Sequence, residues 1–410
     1  MDPELARLWA ELTARTDYER CARPRAARVS NGPVVRLLEA LGRPQDRPLA
    51  LHVAGSKGKG STAAFLAAGL HAAGHRVGVY SSPHLSDWRE RATIDGEFAA
   101  DAAWVHSLSA VLAASQGDET FFDLLTAAAL HLFAAEGCTA TVIEVGLGGR
   151  FDSTRVLRPA AALVTSIESE HEDVLGPGLE QIAWNKAGIY VAGSPAFAAA
   201  GIPEVAREVL RAEAHAVGET LQLAPGVVGA GATLEPAHQR RNHALAATVL
   251  DSLGLGEGFA QLDPAQVRLA GRFEERRLAD GRIVVLDTAH SENSLAAALE
   301  LFRRRYHEQS RGVVLALRDD KDPHALAAAL RAQLGTRPHT ERWWACPAGD
   351  HPRSADPVTL AAAFDAEALA SPAIPEGPQA VLVTGSTYLV GALRPQTLPD
   401  ESATATTQDD

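Results

Sequence analysis

Cysteine is scarce: three residues in 410, Cys21, Cys138 and Cys346, lie far apart. That spacing offers neither a metal-binding Cys cluster nor a disulfide framework, and it suits a reducing cytoplasm. Basic residues are outnumbered. Lys and Arg total 38 against 51 Asp and Glu, for a formal net charge of −13, which excludes a general binder of nucleic-acid backbones. No apolar run approaches the ~20 residues needed to cross a bilayer. The opening Met1-Asp2-Pro3-Glu4 is acidic and lacks the apolar segment of a signal peptide. Internal repeats are missing as well. These absences predict a soluble, cytoplasmic protein. Its 46% of hydrophobic residues suits globular cores, and its length suffices for two or three domains.

The chain is organised around Leu49 to Gly74. An apolar run, Leu49-Ala50-Leu51-His52-Val53-Ala54, leads into Gly55-Ser56-Lys57-Gly58-Lys59-Gly60-Ser61-Thr62. Good helix formers follow, Ala63-Ala64-Phe65-Leu66-Ala67-Ala68. Strand, glycine loop and helix are the parts of a phosphate-binding loop. Backbone N–H groups and the helix N-terminus attract phosphate, Lys59 can reach the β- and γ-phosphates, and Ser61 or Thr62 can sit beside Mg²⁺. The spacing departs from the usual G-x-x-x-x-G-K-[ST], because Gly60 intervenes before Ser61. The plain alternative is a glycine-rich turn.

Apolar residues at helical spacing predict helices over 4–15 and 33–41. The basic run Arg20 to Arg28 between them is either a solvated loop or a contact for an anionic substrate. A strand is predicted at Arg76–Ser81, ending in the turn Ser82-Pro83-His84-Leu85. Asp87 to Gly96 reads as charged and then turn-forming, and helices follow over 101–114 and 123–136. Thr141-Val142-Ile143-Glu144-Val145 reads as a buried strand. An acid in such a strand is costly unless paired or bound to a cation, and Glu144 falls where parallel sheets carry their sites; the alternative is a salt-bridged structural acid. After the strand 162–167 come Glu168, Glu170, His171, Glu172 and Asp173. Four carboxylates around one histidine suggest a cation site, against the alternative of a solvated acidic loop. A short helix over 179–187 carries Lys186. Helices are expected near 205–214 and 243–253, with a small β excursion at 221–234. Beyond residue 270 a second alternation of strands and helices predicts a parallel sheet covered on both faces.

The predicted fold is α/β. A P-loop ATPase-like domain with a parallel-rich central sheet spans 1–270, a smaller Rossmann-like domain spans 271–394, and 395–410 form a disordered acidic tail.

Together these motifs are specific. The chain resembles the folylpolyglutamate synthase and dihydrofolate synthase family of the Mur ligase superfamily over about residues 35–394. The resemblance rests on His52-Val53-Ala54-Gly55 with Gly58-Lys59-Gly60-Ser61, on Ser82-Pro83-His84-Leu85, and on Glu144-Val145-Gly146-Leu147-Gly148-Gly149-Arg150. It continues through Thr165-Ser166-Ile167 with His171, Lys186-Ala187-Gly188-Ile189, His238-Gln239 with Asn242, and Gly271-Arg272-Phe273. Asp287 with Ala289-His290, Asp320-Lys321-Asp322 and Thr384-Gly385-Ser386-Thr387 complete it.

The resemblance implies an ATP- and Mg²⁺-dependent ligase that adds L-glutamate to dihydropteroate, to a reduced folate, or to both, through an acyl phosphate. Lys57, Gly58, Lys59, Gly60 and Ser61 would hold the phosphates, and Asn242, Arg272, Asp287 and His290 the rest of ATP. Ser82 and Glu144 would bind one Mg²⁺ and His171 a second, with Lys186 carboxylated to a carbamate as a further ligand. The alternative for Lys186 is an ammonium that neutralises the acidic run. Lys59, Glu144, His171 and Lys186 form the implied catalytic set. Thr120, Phe121, Phe122 and Asp123, with Phe151, Asp152 and Ser153, fall where the pterin-bearing substrate is held. A K⁺ or other monovalent cation belongs to the implied cofactors, and the implied state is a monomer without nucleic-acid or membrane partners. Departures are Lys57 for a common Asn, Ser291-Glu292 for Asn-Pro, Glu170 for Asp before His171, and a missing Gly-Leu-Glu-Arg run near residues 25–35. The rivals are another Mur-superfamily amino-acid ligase and a nucleotide-binding regulatory scaffold. A peptidoglycan-precursor ligase would need a UDP-binding domain before the loop, where only about 50 residues stand.

Overall fold

A computed structural model describes residues 2–17, 31–349 and 353–399. The basic run at 20–28 lies outside them. The chain divides into two units: one holds residues up to Pro83 and Arg89–Val267, the other His84–Trp88 and everything from Arg268. The expected boundary near 270 lies between Val267 and Arg268, and the second unit also takes a short piece from early in the chain. Leu85 of that piece packs on the second unit's core, and Ser86 Oγ donates to the Gly391 carbonyl at 3.2 Å.

Short apolar runs alternate with longer helical stretches, and they fold accordingly. The strands of unit one are β1 (Leu49–Ala54), β2 (Val77–Tyr80), β3 (Ala92–Ile94), β4 (Glu97–Phe98), β5 (Ala140–Glu144), β6 (Ala161–Val164), β7 (Ala196–Ala198) and β8 (Leu221–Leu223). They form one sheet in the order β4-β3-β2-β5-β1-β6-β7-β8. From β2 to β8 the neighbours are parallel, while β3 and β4 form an antiparallel hairpin at its edge. Burial on both faces explains why β6 reads as an unbroken apolar run, and β5 is buried throughout although it carries Thr141 and Glu144. The expected excursion over 221–234 is corrected. Leu221–Leu223 is a parallel edge strand, and Ala224-Pro225-Gly226 ends its alternation.

Unit two carries β9 (Glu274–Arg277), β10 (Ile283–Leu286), β11 (Arg311–Leu315), β12 (Glu341–Ala345), β13 (Glu367–Ala368), β14 (Ala380–Thr384) and β15 (Leu398–Pro399). Their order is β13-β12-β11-β14-β10-β9-β15. The parallel core is as expected, but β9 and β15 add an antiparallel edge. The signal for β9 is weak because Glu274-Glu275-Arg276-Arg277 carries no apolar face. The expected disordered tail is corrected in part: residues 394–399 fold as a short 3-10 turn and β15. Arg276 holds them, donating from Nε to Thr397 Oγ1 at 2.6 Å and from Nη2 to the Thr397 carbonyl at 3.0 Å. No helix among the described residues is long and apolar enough to cross a membrane.

His52, on the central strand β1, is 1% exposed, and its Nε2 lies 2.9 Å from Thr154 Oγ1. Burial, reinforced by the Arg155 charge, pushes its pKa down to about 3. In the unfolded chain the ring takes a proton near its ordinary 6.5, so between about pH 3 and 6.5 the unfolded state binds more protons. Stability is therefore complete above that window and falls as pH drops through it, at up to about 1.4 kcal/mol per pH unit. Urea unfolding of His52→Gln should show a flatter decline than the wild type between about pH 6 and pH 4. Parallel declines would show that His52 does not carry this dependence.

Candidate active site

β1 lies between β5 and β6, with Val53 level with Glu144 and Ala54 level with Val164. The three strands therefore release their next residues at one edge: the glycine loop after Ala54, the Gly146–Arg150 loop after Glu144, and Thr165 onward after Val164. Ser82 follows β2, the neighbour of β5, and leaves the sheet at the same edge.

The loop is held from the side. Thr165 Oγ1 and Ser166 Oγ donate to the Lys57 carbonyl at 2.5 and 3.0 Å, and the Lys57 amide donates back to Ser166 Oγ at 2.8 Å. The Ser56 and Glu168 amides donate to the Ser166 carbonyl and Ser56 Oγ, at 2.9 and 3.0 Å. Gly55, at φ +150, lies so close that a Cβ there would overlap Thr165 Oγ1. Gly58, at φ +86, caps helix Lys59–Ala72 in the left-handed region, and a Cβ on it would sit 2.5 Å from Asn242 Oδ1. Asn242 Nδ2 donates to Gln239 Oε1 at 3.0 Å, and Gln239 Nε2 to the buried Ser61 Oγ at 3.2 Å. Gln239 and Asn242 lie one turn apart on helix Ala237–Ser252, so they share a face. Gln239, Thr165 and Ser166 are absent from the sequence-predicted site, although each lies inside one of the motifs that carry the family resemblance.

Charge gathers at this edge. Lys59 Nζ is 3.1 Å from the Gly55 carbonyl and 3.9 Å from Glu144 Oε1. Glu170 bridges two lysines: Oε2 is 3.3 Å from Lys57 Nζ, and Oε1 is 3.5 Å from Lys186 Nζ. Burial would raise the Glu170 pKa, but Lys57, Lys186 and Lys59 hold it below the ordinary value. Burial lowers Lys57, against the pull of Glu170. It pushes Lys186, at the end of helix Gly178–Lys186, down to about 8. Burial also lowers His171, which adopts φ +51, a strained setting for a non-glycine residue.

The expectation of four carboxylates closing around His171 is corrected. Among the described residues no three His, Cys, Asp or Glu side chains gather as metal ligands. Glu170 turns to the lysines, and Glu172 accepts from Ser169 Oγ. The remaining donors still fit a hard cation held with a nucleotide. Glu144 presents a buried carboxylate at the strand end, Ser82 a hydroxyl, and His171 a ring kept neutral, as ligation requires.

The residues expected to hold the pterin fall into separate local contacts. Thr120 and Asp123 form the capping box of helix Phe121–Ala135, and Ser153 Oγ donates to Asp123 Oδ1 at 2.6 Å. Asp152 accepts from Leu147 N at 2.9 Å and from Thr154 N at 3.0 Å; burial raises its pKa. Phe121 is a core ring, edge-on to Trp9 at 5.8 Å. Phe122 and Phe151 remain half-buried, beside Tyr80 and Trp184.

Arg272, Asp287 and His290 come together in unit two. The half-buried Asp287 accepts from the Phe273 and Ala289 amides, each at 2.8 Å. Burial raises its pKa against those amides and Arg272. Arg272 bonds Thr288 Oγ1, and His290 Nδ1 lies 2.9 Å from the Thr288 carbonyl.

Two family models match this chain. The one described as the Mur ligase middle domain covers residues 53–200, and the one described as Mur ligase, glutamate ligase domain covers 271–387. A Halobacterium salinarum protein described as a probable bifunctional folylpolyglutamate synthase/dihydropteroate synthase is 34% identical, over 87% of this chain and 48% of its own length. The chain thus spans about half of that relative. It spans 94% of the Bacillus subtilis dihydrofolate synthase/folylpolyglutamate synthase, which is 29% identical over 88% of this chain. Among solved structures, the bifunctional folylpolyglutamate synthase/dihydrofolate synthase of Yersinia pestis, complexed with AMPPNP and Mn ion, is 26% identical with a TM-score of 0.75. That match covers 95% of this chain and 97% of the other.

The two loop glycines near charged groups should respond differently to substitution. Gly58→Ala meets both a left-handed backbone and Asn242, and should lower stability by about 1–3 kcal/mol. Gly60→Ala places its Cβ 3.6 Å from Glu144 Oε2, an ordinary contact, and should leave stability within about 0.5 kcal/mol. Urea denaturation of both variants checks this, and equal losses would contradict it.

Proposed function

Because the chain belongs to the folylpolyglutamate synthase/dihydrofolate synthase family of Mur ligases, we propose that it is an ATP-dependent ligase joining L-glutamate to dihydropteroate, to the glutamate tail of a reduced folate, or to both. One observation carries the reading: the glycine loop, Glu144, Glu170 and Lys186 meet at one edge of the sheet, where a nucleotide triphosphate finds lysines and a carboxylate together.

A carboxylate does not condense with an amine at neutral pH, since its oxygen leaves poorly. In this reading the substrate carboxylate attacks the γ-phosphorus and ADP departs. The glutamate amine then attacks the acyl carbon and phosphate leaves. Two anions must approach each other in the first step. Lys59 offsets their repulsion, and the amides of the Gly58–Gly60 loop orient the phosphates. Mg²⁺, when bound, supplies further positive charge between the two anions. Ser82 and Glu144 would hold one ion, and His171 with a carboxylated Lys186 a second. Thr165 and Ser166 keep the loop shaped before the nucleotide arrives. Phe122 and Phe151 offer ring faces for a pterin.

Lys186 supports the carbamate by its protonation. Only a neutral amine adds CO₂, forming an N–C bond as a proton leaves to solvent. Burial brings Lys186 to about 8, within reach of that form. Carboxylation would turn the ammonium that Glu170 faces into an anion, and a bound Mg²⁺ would supply the charge that offsets it.

Incubation with ATP, Mg²⁺ and L-glutamate, offering dihydropteroate and tetrahydrofolate in turn, should give products one glutamyl unit heavier by mass. Glutamate-independent ATP turnover alone would reject the reading. Lys59→Ala should lower turnover on the order of a hundredfold or more with the fold intact; near-normal turnover would reject its role. If Lys186 works as a carbamate, Lys186→Arg should be as inactive as Lys186→Ala, and acetate should partly restore the alanine variant. Substantial activity in Lys186→Arg would reject the carbamate.

A further inference from the structure

Glu170 occupies an unusual position for an acid at a phosphate site. Its two oxygens are divided between two lysines, 3.3 Å from Lys57 Nζ and 3.5 Å from Lys186 Nζ. The Lys186 side chain is 3% exposed and that of Glu170 17%. A buried ammonium without a counter-charge is strongly destabilising, and Glu170 supplies one to both lysines. Lys57 belongs to the loop itself, its carbonyl pinned by Thr165 and Ser166. Its Nζ therefore starts from a fixed backbone and turns toward an acid where, in the nucleotide-bound protein, phosphate would be the competing anion.

We propose that Glu170 is a placeholder for the nucleotide: a carboxylate that pairs with Lys57, and with Lys186 in its ammonium form before any carboxylation, and that must release Lys57 for a phosphate to bind. This rests on the nucleotide-binding reading above and adds to it a positioning residue that regulates binding. Glu170 keeps the loop's cations in place without phosphate. It also opposes the incoming triphosphate, as a like charge and as a competitor for Lys57. Affinity is weakened in exchange for a site that is neutralised beforehand and a nucleotide that leaves readily.

The sign of one measurement separates this role from a structural brace. Losing a brace loosens the loop and weakens nucleotide binding. Losing a placeholder removes a competing anion and strengthens it. Calorimetric titration of the full chain with ATP in EDTA reads binding without a divalent ion. Glu170→Gln, which keeps the shape and removes the charge, should bind metal-free ATP about tenfold more tightly at low salt. The gain should shrink as salt is raised. In Lys57→Met/Glu170→Gln the gain should largely vanish, because the contested cation is gone. Should Glu170→Gln fail to fold, Glu170→Asp is the substitute; its shorter stem withdraws from both lysines, and it should show a smaller gain of the same sign. Unchanged or weaker binding in the folded variant, with wild type binding normally, overturns the placeholder alone. Wild-type protein that binds no ATP in EDTA and none with Mg²⁺ restored overturns the nucleotide-binding reading and this inference with it; binding only with Mg²⁺ overturns the placeholder alone.

Discussion

A phosphate loop must keep its amides turned toward empty space before any phosphate is there to hold them. Left alone, such a glycine-rich segment would collapse onto its own polar groups or sample many shapes. Here the restraint comes from the neighbouring strand. Thr165 and Ser166, just beyond β6, grip the Lys57 carbonyl and amide, and Gly55 makes the grip possible because any side chain would displace Thr165. On the other flank, Asn242 rests against Gly58 and Gln239 fixes Ser61. The loop is thus held by contacts within the protein, and under the proposed function less ordering entropy would be lost on binding a nucleotide.

Preorganisation of charge follows from the same arrangement. Three lysines around one loop would repel each other if unpaired. Glu144 and Glu170 split the neutralisation between them. Glu144 faces Lys59, and Glu170 lies between Lys57 and Lys186. The two acids differ in setting. Glu144 ends a buried strand, so its position follows from sheet register. Glu170 lies on the loop beside the strained His171, and its position can change without disturbing the sheet.

Much of the first unit is legible in the sequence because its signals are local. The strand–loop–helix around Lys59 combines an apolar run, glycines and helix formers within 26 residues, Leu49 to Gly74. Glu144 is legible because an acid at the end of Thr141–Ile143 violates the burial rule. The acidic run 168–173 misleads, since composition cannot show which way each carboxylate turns. Glu170 goes to lysines that are 113 residues before it and 16 after it in sequence. Phe121 misleads for a similar reason: neighbouring rings at 121 and 122 point to different surroundings on a helix, and only packing tells which one Trp9 covers. The charged strand β9 and its partner β15 are hidden because Glu274-Glu275-Arg276-Arg277 has no apolar residue and β15 is only two residues long.

The piece His84–Trp88 has a temporal consequence. Leu85 and Ser86 leave the ribosome early, yet the core and the Gly391 carbonyl they join are made some 300 residues later. At roughly 5–20 residues per second, that is a delay of about 15–60 s. During it the segment after β2 lacks the partners that hold it. A chain cut between Val267 and Arg268 would hold that unit in the same waiting state indefinitely, with an apolar leucine left for a chaperone or a protease to find.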